Sequence, residues 1–366
     1  AQPTIDHRSA DFQALLDRIL AGLQPVFDSS RVLIFPGSGT GAWEAAIVNC
    51  LQPGETVLMF ETGHFAGAWR NMAERFGLDI RVVPGDWRSG VDPARVEEQL
   101  QADPAHHIKA VMLVHNETST GVTSAIPPVR AAIDACGHPA LLMVDTISSL
   151  GSMEYRHTDW RVDVTVGGSQ KGLMLPPGLA FNAVSDKALA KAAHGGMARS
   201  YWHWQSMLDA NQRGFTPYTP ATNLLFGLDK ALELLHAEGL SRVQSRHARH
   251  AAACRRAVEH WGLEILCRNP SEYSSTLTAV CMPDGYDADT LRRSILDRFD
   301  LSLGTGLGRL AGRVFRIGHL GALNDLMLAA TLAGVEMGLR TEAVPHQPGG
   351  VQAAMEFLAD TAGTGQ

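Results

Sequence analysis

Between residues 32 and 184 the chain alternates short apolar runs with segments of helical periodicity, and this rhythm leaves few folds open. The apolar runs predict strands over 32–35, 56–60, 80–83, 110–114, 140–144, 162–166 and 179–184. Helices are predicted between most of them, over 42–51, 64–76, 92–101 and 126–136. Alternation of this kind builds a mostly parallel, seven-stranded α/β sheet covered by helices on both faces, with functional groups gathered at the C-terminal strand tips. An amphipathic helix from about Asp11 to Phe27, with Ser9 as its N-cap, precedes the sheet. Beyond it, helices over 223–236 and 240–261 lead to a smaller α+β region with strands near 276–281 and 313–317 and helices near 287–298 and 323–338. The expected division is 1–30 as an N-terminal segment and helix, 31–238 as a large α/β domain, 239–342 as a small α+β domain, and 343–366 as a loosely ordered Ala/Gly-rich tail.

Two strand tips carry chemistry. Val162, Val164 and Val166 alternate with Asp163 and Thr165 and give way to Gly167-Gly168-Ser169-Gln170-Lys171-Gly172, with Pro176-Pro177 following. A lysine held between such stiff punctuation suits imine formation with a carbonyl, which needs a lowered pKa and a fixed position. The continuous apolar run Ala140–Val144 reads as a buried strand ending at Asp145. An amine and a carboxylate on two strand tips are what pyridoxal phosphate requires: a lysine to tether it, and an acid to keep its pyridine nitrogen protonated. The cofactor also needs an anion cradle. Gly37-Ser38-Gly39-Thr40-Gly41, between the strand Val32–Phe35 and a helix, offers backbone N–H groups and two hydroxyls.

Further tip loops are rich in hydrogen-bonding groups. Glu61-Thr62-Gly63-His64-Phe65 puts an aromatic ring either over a planar ligand or into the core as the first apolar residue of the next helix. His115–Gly121 is either a capped turn or a site. Arg316, charged within the apolar strand Val314–Gly318, needs a carboxylate, a phosphate or a surface. The proline-rich segment Phe215–Pro220 excludes helix and is suited to reaching a second subunit.

Composition narrows the partners. A formal charge of −7, with arginines concentrated only over 242–256 as a solvated helix face, argues against nucleic acid. No apolar run reaches membrane length and no signal peptide opens the chain, so a soluble, cytoplasmic protein is expected. The five cysteines lack CxxC spacing and read as reduced core residues; the fifteen histidines form no zinc-type motif, so no metal is expected.

A rival reading takes Gly37-x-Gly39-x-x-Ala42, with Glu61 at the next strand tip, as the fingerprint of an NAD-binding Rossmann oxidoreductase. It leaves Asp145 and Lys171 without work. A lyase or desulfurase would keep the cofactor but, for a desulfurase, place a cysteine on a mobile loop, and none of the five lies in a glycine-rich loop.

The segments PGSGTGAWEAA, HNETSTGV, LLMVDTISSLGSM, GSQKGLMLPPGLA, PYTPATNLLFGL and FRIGHLG together resemble the class V, fold-type I, pyridoxal-phosphate aminotransferases, and among them the serine–glyoxylate group. The resemblance spans nearly the whole chain, although that family's leading Pro-Gly-Pro turn does not appear in these residues. It implies a cofactor imine and general acid/base at Lys171, a pyridinium partner at Asp145, and a ring stacked on the cofactor at Phe65. It further implies phosphate contacts from Ser38, Gly39, Thr40 and Gln170, and contacts to the ring from Thr118 and Ile147. Thr219, with Tyr218, would reach the phosphate of the neighbouring subunit in a homodimer, and Arg316 would bind the substrate α-carboxylate. The implied reaction is transamination between a small L-amino acid, L-serine first, and the 2-oxo acid glyoxylate, with L-aspartate or L-alanine as alternative donors.

Overall fold

The computed structural model describes residues 3–363. Helix α1 (Ala10–Phe27) is capped by the Ser9 hydroxyl, which accepts from Phe12 N at 3.2 Å. Then follow β1 (Val32–Gly37), α2 (Gly39–Cys50), β2 (Thr56–Phe60), α3 (His64–Arg75), β3 (Asp79–Val83), α4 (Pro93–Gln101) and β4 (Ile108–Val114). A small hairpin, β5 (Asn116–Glu117) with β6 (Val122–Thr123), precedes α5 (Ile126–Ala135), β7 (Leu141–Asp145), β8 (Val164–Gly168) and β9 (Gly178–Val184).

Strands β1–β4 and β7–β9 form one seven-stranded sheet in the order β1-β9-β8-β7-β4-β2-β3. Its pairings are parallel except those of β9, which runs antiparallel to both β1 and β8. The middle strands are buried on both faces, as strands under helices must be. Along Ala110–Val114 of β4, Val111 and Leu113 enter one apolar cluster with α1, while Ala110 and Met112 enter the cluster beneath α2 on the other face. Side chains alternate across the sheet with period two, so a run without polar residues fills both layers.

Past the sheet come α6 (Asp186–His194), α7 (Trp204–Asn211), α8 (Thr222–Glu238) and α9 (Leu240–His260). The C-terminal part adds β10 (Leu277–Cys281), α10 (Ala288–Phe299), β11 (Gly304–Thr305), β12 (Val314–Gly318), α11 (Asp325–Thr341) and α12 (Gly350–Asp360). Its three-stranded antiparallel sheet, ordered β10-β12-β11, packs with α9–α12 around a separate core containing Trp261, Phe315 and Leu332.

Two expectations are corrected. Much of the tail is a helix, α12, docked on α9. Its Ala/Gly composition conceals the reason: Gly350 lets the helix start against Trp261, where a Cβ would stand 2.3 Å from the indole nitrogen. Glu336 then gathers N–H groups from Trp261, Gly349 and Val351 at 2.7–3.0 Å, satisfying the first turn. The arginines of α9 are not one solvated face either, because Arg246 pairs with Glu238 and Arg249 forks onto Asp325.

Because Leu358 of α12 is 5% exposed within that core, Leu358→Ala is expected to lower the unfolding free energy of the C-terminal part by about 3 kcal/mol, as read by denaturant titration.

Candidate active site

The C-terminal tips of β4, β7 and β8 lie side by side, and the N-terminus of α2 faces them across a cavity of about 180 Å³. Asp145 forms its floor. This carboxylate is 4% exposed; Oδ1 accepts from Ile147 N at 2.7 Å and Oδ2 from the Trp43 indole at 2.8 Å. Burial pushes its pKa up to about 7; the Ile147 and Trp43 donors pull it down, and the negative charge of Glu117 adds to the rise.

Lys171 enters from the loop between β8 and β9. Ser169 pins that loop: its hydroxyl donates to Pro176 O at 2.8 Å and accepts from Leu179 N at 3.2 Å. Gly172 presses so closely on the turn after Asp145 that a Cβ would lie 2.2 Å from Leu150 O. The lysine therefore cannot swing away with its loop. Burial, followed by the positive charge of Arg316, holds the Lys171 amine below the usual lysine range.

Opposite stand Ser38, Gly39 and Thr40. Helix α2 begins at Gly39, three residues before the expected start, so the glycine turn itself supplies the helix N-terminus. Ser38 is the N-cap residue, yet its hydroxyl makes no capping bond, leaving it and the first N–H groups of α2 available to an anion. A Cβ on Gly39 would lie 2.3 Å from Ile147 Cδ1, so only glycine lets the two walls approach. Gln170 lines the same space, and its buried Oε1 has no partner.

Phe65, in the first turn of α3, is half-buried: it lines the cavity and packs against the cluster beneath α2. Thr118 lines the cavity, and its carbonyl accepts from Arg316 Nη1 at 2.7 Å. Arg316 Nε donates to Thr305 O at 2.9 Å. Backbone carbonyls thus hold the guanidinium without neutralising it.

The structure gathers Ser38, Gly39, Thr40, Phe65, Thr118, Asp145, Ile147, Gln170 and Lys171 around one space. Tyr218 and Thr219 stand apart from it. Tyr218 stacks on Tyr201 with ring centroids 4.3 Å apart and donates to Tyr201 O at 2.9 Å. Sequence reasoning missed Trp43, Val114 and Asn116 on the cavity wall. Trp43 had a signal, its place four residues after Gly39 on the helix that opens at the cavity; Asn116 had only its place in a polar run.

The model of the aminotransferase class-V family matches residues 4–307. The chain belongs to the class-V aminotransferases. It is 47% identical to a serine–glyoxylate aminotransferase of Methylorubrum extorquens, over 97% of this chain and 90% of the relative. It is 44% identical to an L-aspartate–glyoxylate aminotransferase of Paracoccus denitrificans, over 100% of this chain and 93% of the relative. Among solved structures, a ureidoglycine–glyoxylate aminotransferase of Bacillus subtilis superposes with a TM-score of 0.91 at 25% identity, covering 98% of this chain and 93% of that one. The fold is that of the fold-type I enzymes, and class-V aminotransferases depend on pyridoxal 5′-phosphate.

The cavity fits that cofactor. It offers a buried acid whose hydrogen-bond partners among the described residues are neutral, an amine of lowered pKa, a helix N-terminus with an uncommitted hydroxyl, and an amide with one orphaned end. The dinucleotide reading fails on topology. Glu61 follows β2, and β9, β8, β7 and β4 lie between β2 and β1, so the acid and the glycine turn do not share a crevice.

In the cofactor-free protein the folded state keeps a proton on Asp145 that the unfolded chain releases above its ordinary value of 3.8. The stabilisation this provides is complete below that value and is lost as pH rises through about 7. Asp145→Asn, which never ionises, is therefore expected to gain melting temperature relative to the parent as pH rises across this window.

Proposed function

We propose that this class-V aminotransferase transfers the amino group of L-serine to glyoxylate, giving hydroxypyruvate and glycine. The observation that carries the reading is the convergence of Lys171 and Asp145 on one cavity, together with the similarity to serine–glyoxylate enzymes. The Paracoccus relative, named for L-aspartate and glyoxylate, makes L-aspartate the second donor to consider; the acceptor is common to both readings.

When bound, pyridoxal phosphate supplies an electron sink for the pair left at the amino acid's α-carbon. In this reading the residues divide the remaining work. The Asp145 carboxylate, oriented by Trp43, would hold a proton on the pyridine nitrogen, a charge-assisted contact that would also remove the cost of an unpaired buried acid. Lys171 Nζ would tether the cofactor and, as a free amine, would take up and return the proton of the substrate α-carbon. Its lowered pKa keeps a fraction of the amine neutral and able to act as a base. Ser38, Gly39, Thr40 and Gln170 hold the phosphate, and Phe65, Thr118 and Ile147 confine the ring. Arg316, anchored through two carbonyls, keeps an Nη2 edge for the substrate carboxylate.

The reading extends to a cytoplasmic homodimer. Thr219, with Tyr218, would complete the phosphate site of a second copy, since both stand away from the cavity of their own chain; the five free cysteines fit a reducing compartment. No helix among the described residues is long and apolar enough to cross a membrane. Residues 31–238 would form the cofactor-binding unit and 239–342 the unit that brings Arg316 to it.

Borohydride reduction and peptide mapping are expected to leave the phosphopyridoxyl mass on Lys171, and Lys171→Ala to abolish turnover; label on another lysine overturns the assignment. In single turnovers, L-serine should bleach the visible absorbance of the loaded enzyme and glyoxylate should restore it. Bleaching by L-aspartate alone would transfer the donor assignment to aspartate. Sedimentation at assay concentration should give a dimer, and an active monomer would refute the composite site.

A further inference from the structure

Glu117 is fully buried, with no cation among its hydrogen-bond partners. Its Oε1 accepts from Phe65 N at 3.3 Å, Ser119 N at 3.0 Å and Ser119 Oγ at 2.7 Å, and its Oε2 from Ala66 N at 3.0 Å. Ser119 Oγ in turn accepts from His64 N at 2.9 Å. These contacts replace a missing cap. The N-cap position of α3 is Gly63, which has no side chain to offer, so the turn at 117–119 takes the first three N–H groups of the helix from across the site. Gly63 cannot be otherwise, because a Cβ there would lie 2.3 Å from Glu117 Cγ. On its other side the same turn is fixed by Thr120 N and Gly121 N, both donating to Glu117 O. The next carbonyl, that of Thr118, holds Arg316.

We propose that Glu117 is a positioning residue: by capping α3 from the opposite wall it locks the ring of Phe65 in register with the Thr118 turn and Arg316. This rests on the assignment of Phe65 to the cofactor and Arg316 to the substrate carboxylate. The carboxylate shape matters, since an amide presents one acceptor oxygen and one NH2 group. Glutamine must therefore set a donor against either Ala66 N–H or the Phe65/Ser119 group. A cap acting only on stability would leave ring and guanidinium where they are. A positioning cap would not.

The test is a double-mutant cycle on cofactor binding. Apo-protein carrying Glu117→Gln, Phe65→Ala or both is titrated with pyridoxal phosphate, following tryptophan fluorescence and the circular dichroism induced in the bound cofactor. Glu117→Gln is expected to weaken binding about tenfold, the loss of one hydrogen bond to a buried charge, and to reduce the induced signal to that of Phe65→Ala. In the double variant the second change should add less than about twofold, because both act through the same ring. KM for L-serine should rise more than kcat falls. Effects that multiply, or a lower melting temperature with unchanged affinity and dichroism, would reduce Glu117 to an ordinary cap and overturn the proposal. If Glu117→Gln does not fold, Ser119→Ala, which removes a donor to Oε1 and the acceptor of His64 N, is read in the same cycle by the same criteria. Failure of the parent chain to bind pyridoxal phosphate would instead remove the functional reading on which the proposal stands, and the proposal with it.

Discussion

Burying the Asp145 carboxylate at the tip of β7 opposes folding unless a charge of opposite sign meets it, and two hydrogen-bond donors do not replace that charge. Much of the cavity is arranged around this imbalance. Trp43 is drawn from α2 to Asp145 Oδ2, so the helix that presents its N-terminus to an anion is tied to the acid. Lys171 and Arg316 lie near enough to influence each other, while the hydrogen bonds of Asp145 among the described residues come from the neutral donors Trp43 and Ile147. In the function proposed, a cationic heterocycle with a phosphate tail would satisfy both ends together, its charge at the acid and its phosphate at the helix.

Glycine sets the distances that make this possible. At Gly39 against Ile147, Gly63 against Glu117 and Gly172 against Leu150, two loops from different strand tips approach more closely than a Cβ would permit. Each contact joins a segment bearing a site residue to a segment bearing another. The cavity is consequently a set of interlocked turns, and the precision of its groups comes from backbone contact more than from long side chains reaching inward.

This explains which features could be read from the sequence. Asp145 is legible because a continuous apolar strand ends directly in a carboxylate, and Lys171 because glycines and prolines bracket it just past a second strand. The glycine turn Gly37–Gly41 is legible because it lies between an apolar strand and a helical pattern. Trp43 and Glu117 act across 102 and 52 residues of chain to Asp145 and Phe65, and nothing in the neighbourhood of either residue records the partner. Helix α12 was hidden differently: its stability comes from Glu336 and Trp261 on other elements, so its own weakly apolar composition reads as disorder. The early start of α2 escaped because glycines normally argue against a helix, and here they form its first turn.

Strand β9 runs antiparallel to β8, so the segment bearing Lys171 turns straight back into the sheet, with no crossover helix. Gly168 pairs with Ala180, and Gly178 pairs with Gly37, so both ends of the loop are held by sheet registers. Here the architecture itself fixes the length of the loop. One inserted residue would either slide β9 against two neighbours or rotate the amine out of its space. The nine residues between Gly168 and Gly178 therefore admit no change in number without a cost to the sheet or to the site.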